Sequence, residues 1–100
     1  MTRVVFLEPA EEEMLEAATY YENQALGLGQ DFLAQVQRAV DLIVENPRSG
    51  GVMRGEIRRR LVPRFPFGIL YHIDPAEIVV IAVMHLRRRP GYWMDRGIQE

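Results

Sequence analysis

Between Ile78 and Met84 the chain reads Ile-Val-Val-Ile-Ala-Val-Met, without a polar residue. The run falls far below the roughly 18 apolar residues of a membrane span. Its β-branched content favours a strand. A strand that is apolar on both faces must be shielded on both, so this segment is expected to be the central strand of a covered sheet. Arg3 to Leu7, with Val4, Val5 and Phe6, repeats that character over a shorter stretch and is expected to be a second internal or covered strand.

Helices occupy the space between the two apolar segments. Pro9 suits a first helical turn, where its missing N–H costs nothing. Glu11, Glu12 and Glu13 place negative charge at the same helix start, where the macrodipole favours it. Ala10, Met14, Ala17, Ala18, Tyr21 and Ala25 keep the three-and-four spacing of one buried face. Gly27 and Gly29 are expected to break the helix, and a second one fits from about Gly29 or Gln30 to Glu45. Phe32, Val36, Ala39, Val40 and Ile43 form its stripe. Asn46-Pro47 stops it, because a residue before proline is pushed out of the helical region. Pro47-Arg48-Ser49-Gly50-Gly51 is loop chemistry. Strands are then expected at about 56–62, 67–73 and 78–86, with Asp74-Pro75-Ala76-Glu77 turning between the last two. The chain is therefore expected to be a single α+β domain over residues 1–100, ordered β-α-α-β-β-β, with a helical hairpin on one face of a small sheet.

Charge is distributed unevenly. Residues 1–47 hold two arginines against nine acidic residues, whereas residues 48–100 hold ten arginines against five. One small body is thus expected to carry an acidic face and a basic face. Every cation is arginine, which suits bidentate phosphate binding and is equally what a GC-rich genome encodes. The absence of cysteine excludes disulfides and thiolate metal sites. Two histidines, His72 and His85, do not make a structural zinc site. No Gly-rich phosphate loop is present, so no cofactor is expected. The apolar run at the N-terminus is too short for a signal peptide, and the expected location is the cytoplasm, without a membrane role.

Two basic clusters carry the candidate chemistry. In Arg58-Arg59-Arg60, strand geometry puts Arg58 and Arg60 on one face and Arg59 with Ile57 and Leu61 on the other. Arg87-Arg88-Arg89 follows His85, and Tyr92 and Trp93 follow at once. Cations beside aromatics hold a phosphate and stack a base in single-stranded RNA binding. If the two basic strands are neighbours, their arginines converge on one edge of the sheet. The same features also read as structure. An arginine strand is often a solvated face or a protected edge, His85 a hydrogen-bonded structural residue, Tyr92 and Trp93 a core cap, and Glu11 to Glu13 a helix-start charge effect.

The stretches Asn46-Pro47-Arg48-Ser49-Gly50, Phe65-Pro66-Phe67-Gly68-Ile69-Leu70-Tyr71 and Val83-Met84-His85-Leu86-Arg87-Arg88-Arg89-Pro90-Gly91-Tyr92-Trp93, in this order, resemble the RelE/ParE toxin superfamily, often labelled plasmid stabilisation proteins. The resemblance covers nearly the whole chain. It implies a mostly antiparallel sheet with the first strand beside the last, and a growth-arresting toxin neutralised by a cognate antitoxin. A heterotetramer with the antitoxin, or a free homodimer, is the assembly it implies.

The superfamily divides by target. RelE-like members are metal-independent endoribonucleases that cut mRNA on the ribosome, and ParE-like members inhibit DNA gyrase. Cleavage through the 2′-hydroxyl needs a proton acceptor, an acid for the leaving oxygen and cations on the crowded phosphate. Arg58, Arg60 and Arg88 are the candidates for charge stabilisation, and His85 or Tyr92 for proton transfer or base stacking. Arginine stays protonated and does not serve as the base. In RelE-like nucleases a basic residue after the last strand and a tyrosine near the C-terminus do much of the work, and Arg87 or Arg89 and Tyr92 fall in those places. The chain lacks the lysines that those nucleases use freely. A third alternative is a non-catalytic or degenerate homologue that only binds antitoxin and autoregulates.

Overall fold

A computed structural model of the chain describes residues 2–96. It runs β1 (Arg3–Phe6), α1 (Glu8–Gln24), α2 (Leu28–Glu45), a 3-10 turn (Pro47–Ser49), β2 (Gly51–Arg54), β3 (Ile57–Leu61), β4 (Phe67–Ile73) and β5 (Glu77–His85). The five strands form one sheet in the order β1-β5-β4-β3-β2. Only the β1–β5 pair is parallel, and it sets the first strand beside the last.

The helical hairpin covers one sheet face. Ala10, Ala17 and Ala18 of α1 and Phe32, Val36, Ala39, Val40 and Ile43 of α2 are buried against Ile69, Tyr71, Ile78, Val80 and Val83. Those are the stripes that the helical spacing predicts, apart from Ala25, which lies past the end of α1 and is exposed. The opposite face buries Ile57, Leu70, Ile81, Ala82 and Met84 beneath Trp93. Both faces of β5 are therefore covered, as its sequence demands.

Three expectations need correction. β5 is flanked by β1 and β4, but the middle strand is β4. β1, expected as an internal or covered strand, lies at the edge with Val4 and Phe6 packed onto the helical layer. The chain has an extra strand, β2, whose residues are all exposed, so no burial periodicity announces it. It pairs with β3 through a tight turn in which Gly55 adopts φ +55°. Finally, α2 begins at Leu28, so Gly29 lies inside it. Only Gly27, at φ +88°, breaks the helix. Gly29 instead marks a close helix approach, since a Cβ there would sit 2.5 Å from the carbonyl oxygen of Ala18.

The hairpin turn is held by Glu22, whose carboxylate accepts from the N–H of Gly27 (2.8 Å) and of Gly29 (2.9 Å). These are donors that the start of α2 would otherwise leave without partners. Glu22→Ala is expected to lower stability by about 2 kcal/mol, read as a shift of the urea midpoint with an unchanged slope.

Candidate functional site

The register of β3 against β4 sets Arg58 opposite Tyr71 and Arg60 opposite Ile69. Both arginines therefore lie on the helix-covered side of the sheet, beyond the end of α2. Arg59 faces the other way and lays its aliphatic stem over Gly68. On the helical side Arg58 Nη1 donates to the carbonyls of Arg48 (3.0 Å) and Gly50 (2.8 Å), and Arg60 Nη1 donates to Ser49 Oγ (2.6 Å). The buried Tyr71 hydroxyl donates to the Pro47 carbonyl and accepts from Gly50 N–H. Asn46-Pro47-Arg48-Ser49-Gly50 is thus a turn clamped from beneath by three side chains of β3 and β4.

Among the described residues, carboxylates lie within 4.0 Å of Arg3, Arg88 and Arg96 only, never of the arginines on β2, β3 or the clamped turn. At that end of the sheet the arginines have no carboxylate at contact distance, and the nearest acid in sequence, Glu56 in the β2–β3 turn, lies 3.6 Å from His72 instead.

His85 ends β5, opposite Phe67. Its ring meets Phe67 edge-on at 5.1 Å between centroids. His85 Nδ1 accepts from Arg87 N–H at 3.0 Å, which leaves the proton of the neutral ring on Nε2. His85 and Arg88 line one cleft of about 430 Å³ with Glu13, Glu16, Tyr20, Tyr21 and Phe67.

Behind this cleft the chain ties itself together through Glu13. Its carboxylate accepts from Val83 N–H (3.0 Å), the Tyr92 hydroxyl (2.8 Å) and both terminal nitrogens of Arg96 (2.9 and 2.8 Å), with Arg88 at 4.0 Å. The Tyr92 ring lies under the guanidiniums of Arg88 (3.9 Å) and Arg96 (4.8 Å). Burial, then the hydrogen bond to the Glu13 carboxylate, pushes the Tyr92 phenol well above its ordinary range. It stays protonated, so it is a donor and not a base.

The five residues singled out from sequence therefore fall into two groups. Arg58 and Arg60 clamp the turn near β2, whereas His85, Arg88 and Tyr92 cluster at the end of β5. The basic strands are not neighbours, because β4 stands between β3 and β5. The expectation of arginines converging on one edge is corrected on that point. Among the described residues no hydrogen bond or ion pair joins the two groups.

Three residues central to the geometry escape the motif reading: Glu13, Tyr71 and Arg96. Glu13 has a signal, since it falls between Ala10 and Ala17 at three-and-four spacing, on the apolar stripe. An acid there must find buried donors. Arg88, Tyr92 and Arg96 recur at intervals of four.

Residues 4–90 match the family model described as the ParE toxin of the type II toxin–antitoxin system parDE. The fold also matches a solved structure described as the chromosomal ParDE TA system from P. aeruginosa. That match has a TM-score of 0.64 and 19% identity, and it covers 85% of this chain and 96% of the other. At that identity the likeness speaks for the fold alone. No curated protein matches the chain.

Proposed function

The chain belongs to the ParE toxin family of type II toxin–antitoxin systems, and from that premise we propose that it arrests growth by binding DNA gyrase, without cutting RNA, until a cognate antitoxin neutralises it. The site of action is the cytoplasm. No helix among the described residues is long and apolar enough to cross a membrane.

The supporting observation is that two of the groups suited to RNA cleavage, Arg58 and Tyr92, are spent internally. Arg58 holds two backbone carbonyls, the Tyr92 hydroxyl is committed to Glu13, and both guanidiniums beside its ring compete with any stacking base. A phenol raised by burial and by an adjacent carboxylate does not take a proton from a 2′-hydroxyl. The arginines of β2, β3 and the clamped turn, with no carboxylate within 4.0 Å among the described residues, instead offer a basic surface for a large anionic or acidic target.

The discriminating experiment pairs two measurements. Purified protein titrated into a gyrase supercoiling reaction is expected to inhibit it. His85→Ala is expected to keep that inhibition within roughly two-fold, as a residue outside the basic turn should. Brief expression without antitoxin is expected to arrest growth without new RNA 5′ ends. Supercoiling indifferent to excess protein would rule out the gyrase reading.

The second reading, a ribosome-dependent endoribonuclease, rests on His85 and Arg88 lining the same cleft. New 5′ ends inside translated codons that disappear with His85→Ala would establish it.

A further inference from the structure

β1 accompanies β5 only as far as Val80, where Leu7 N–H donates the last bond of the pair before the chain turns into α1. β5 continues to His85. Among the described residues no strand runs beside Ile81–His85 on that side. Two side chains take the place of the missing strand. The Ile81 carbonyl accepts from Arg96 Nη1 at 3.2 Å, and Val83 N–H donates to Glu13 at 3.0 Å. Glu13 and Arg96 are bonded to each other through both guanidinium nitrogens. Their side chains are only 14% and 15% exposed, so the pair is a largely shielded continuation of the sheet edge.

Arg96 reaches that edge at the end of a segment, residues 86–96, that contains no helix or strand. The segment is a chain of short turns in which Arg88, Tyr92, Met94 and Arg96 N–H groups each bond three residues back. Its grip on the domain is concentrated. Trp93, with Tyr92 beside it, packs on the apolar face of Leu70, Ile81, Ala82 and Met84, and Arg88, Tyr92 and Arg96 converge on the one Glu13 carboxylate. Leu86 N–H is also held by the Pro66 carbonyl at 2.9 Å, while the side chains of Leu86, Arg87, Arg88, Arg89 and Pro90 are exposed.

We propose that residues 86–96 are a detachable strap latched by Glu13, which opens as one unit while the helical hairpin and the rest of the sheet stay folded. Its contacts are cooperative. Losing the charge of one partner strands the other in a shielded site, so the hydrogen bonds of Glu13 to Tyr92 and Arg96 stand or fall together, and their loss opens the Val83 N–H bond to Glu13 at the sheet edge to water. Opening exposes the strand edge at Ile81–His85 and the apolar patch under Trp93. It also frees Arg88 and Tyr92 from Glu13. The closed strap hides an edge that would otherwise pair with foreign strands.

Backbone amide exchange tests this, because Val83 N–H sits inside a core strand yet is bonded to the latch. In the unmodified chain the amides of Val83, Met94 and Arg96 are expected to exchange at one shared rate, faster than those of Ile69 and Leu70. Val83 exchanging with its β4 neighbours and apart from the strap overturns the proposal. In Arg96→Gln the strap and Val83 amides are expected to exchange roughly a hundred-fold faster, with β4 amides unchanged. Emission of Trp93, the chain's one tryptophan, is expected to shift to the red. An increase spread evenly over β4, or no increase, counts against a separately opening unit. Should Arg96→Gln fail to fold, Tyr92→Phe keeps the ion pair and is expected to give a smaller acceleration confined to the same amides.

Discussion

Phe32→Ala is expected to remove about 3–5 kcal/mol of stability and, with it, growth arrest at 37 °C. Phe32 is 0% exposed. Its ring meets Tyr21 at 5.4 Å, Phe65 at 5.2 Å and Phe67 at 5.0 Å between centroids. One side chain thereby joins α1, α2, β4 and the loop before β4. Truncation leaves a cavity among rings held by three separate elements, none of which can close it alone, so the cost belongs at the upper end for such changes. A domain of this size has a total stability of about 5–15 kcal/mol, so a large fraction disappears. Chemical denaturation with the midpoint and slope fitted separately is the check. A loss below about 1 kcal/mol would mean that this cluster does not dock the helical hairpin. Phe65→Ala is the internal control. Phe65 is only half-buried and should cost less.

The same cluster shows why the fold was legible in the sequence. Phe32, Val36, Ala39, Val40 and Ile43 announce a buried helix face by spacing alone, and Ile78–Met84 announces a doubly covered strand by the absence of polar residues. Burial imposes a period, and a period can be read. β2 is exposed at every position, so its sequence carries no such constraint and only the turn at Gly55 betrays it. The site was less legible for a different reason. Residue type placed Arg58, Arg60, His85, Arg88 and Tyr92 among the chemically capable groups, but their partners are long-range. Tyr92 meets Glu13 across 79 residues of chain, and Arg96 meets it across 83. Local pattern cannot report that a tyrosine near the C-terminus spends its proton on a helix at the N-terminus. Gly29 makes the same point about backbone, since it reads as a helix breaker and in fact permits α1 and α2 to touch.

Gly50→Ala is the second large effect, expected at about 3 kcal/mol, and it explains the Asn46-Pro47-Arg48-Ser49-Gly50 motif in physical terms. Gly50 has φ −70° and ψ 147°, a conformation that alanine adopts freely, so no backbone strain is involved. The obstacle is space. An added Cβ would collide with the Tyr71 hydroxyl and sit 2.9 Å from the carbonyl oxygen of Arg59. The hydroxyl cannot step aside, because it donates to Pro47 and accepts from Gly50 itself. The carbonyl belongs to the backbone of β3. Tyr71→Phe removes the same hydroxyl without adding volume and is expected to cost about 2 kcal/mol, leaving one donor and one acceptor of the turn without partners. The double variant separates the causes. With the hydroxyl gone, part of the clash in Gly50→Ala is relieved, so the combined loss is expected to fall short of the sum by about 1 kcal/mol or more. Strict additivity would place the whole Gly50 penalty at the Arg59 carbonyl instead. In either variant the Tyr71 clamp on the turn is lost or displaced, leaving Arg58 and Arg60 to hold it. Gyrase inhibition is therefore expected to weaken further than the stability loss alone accounts for, measured at a temperature where both proteins remain folded.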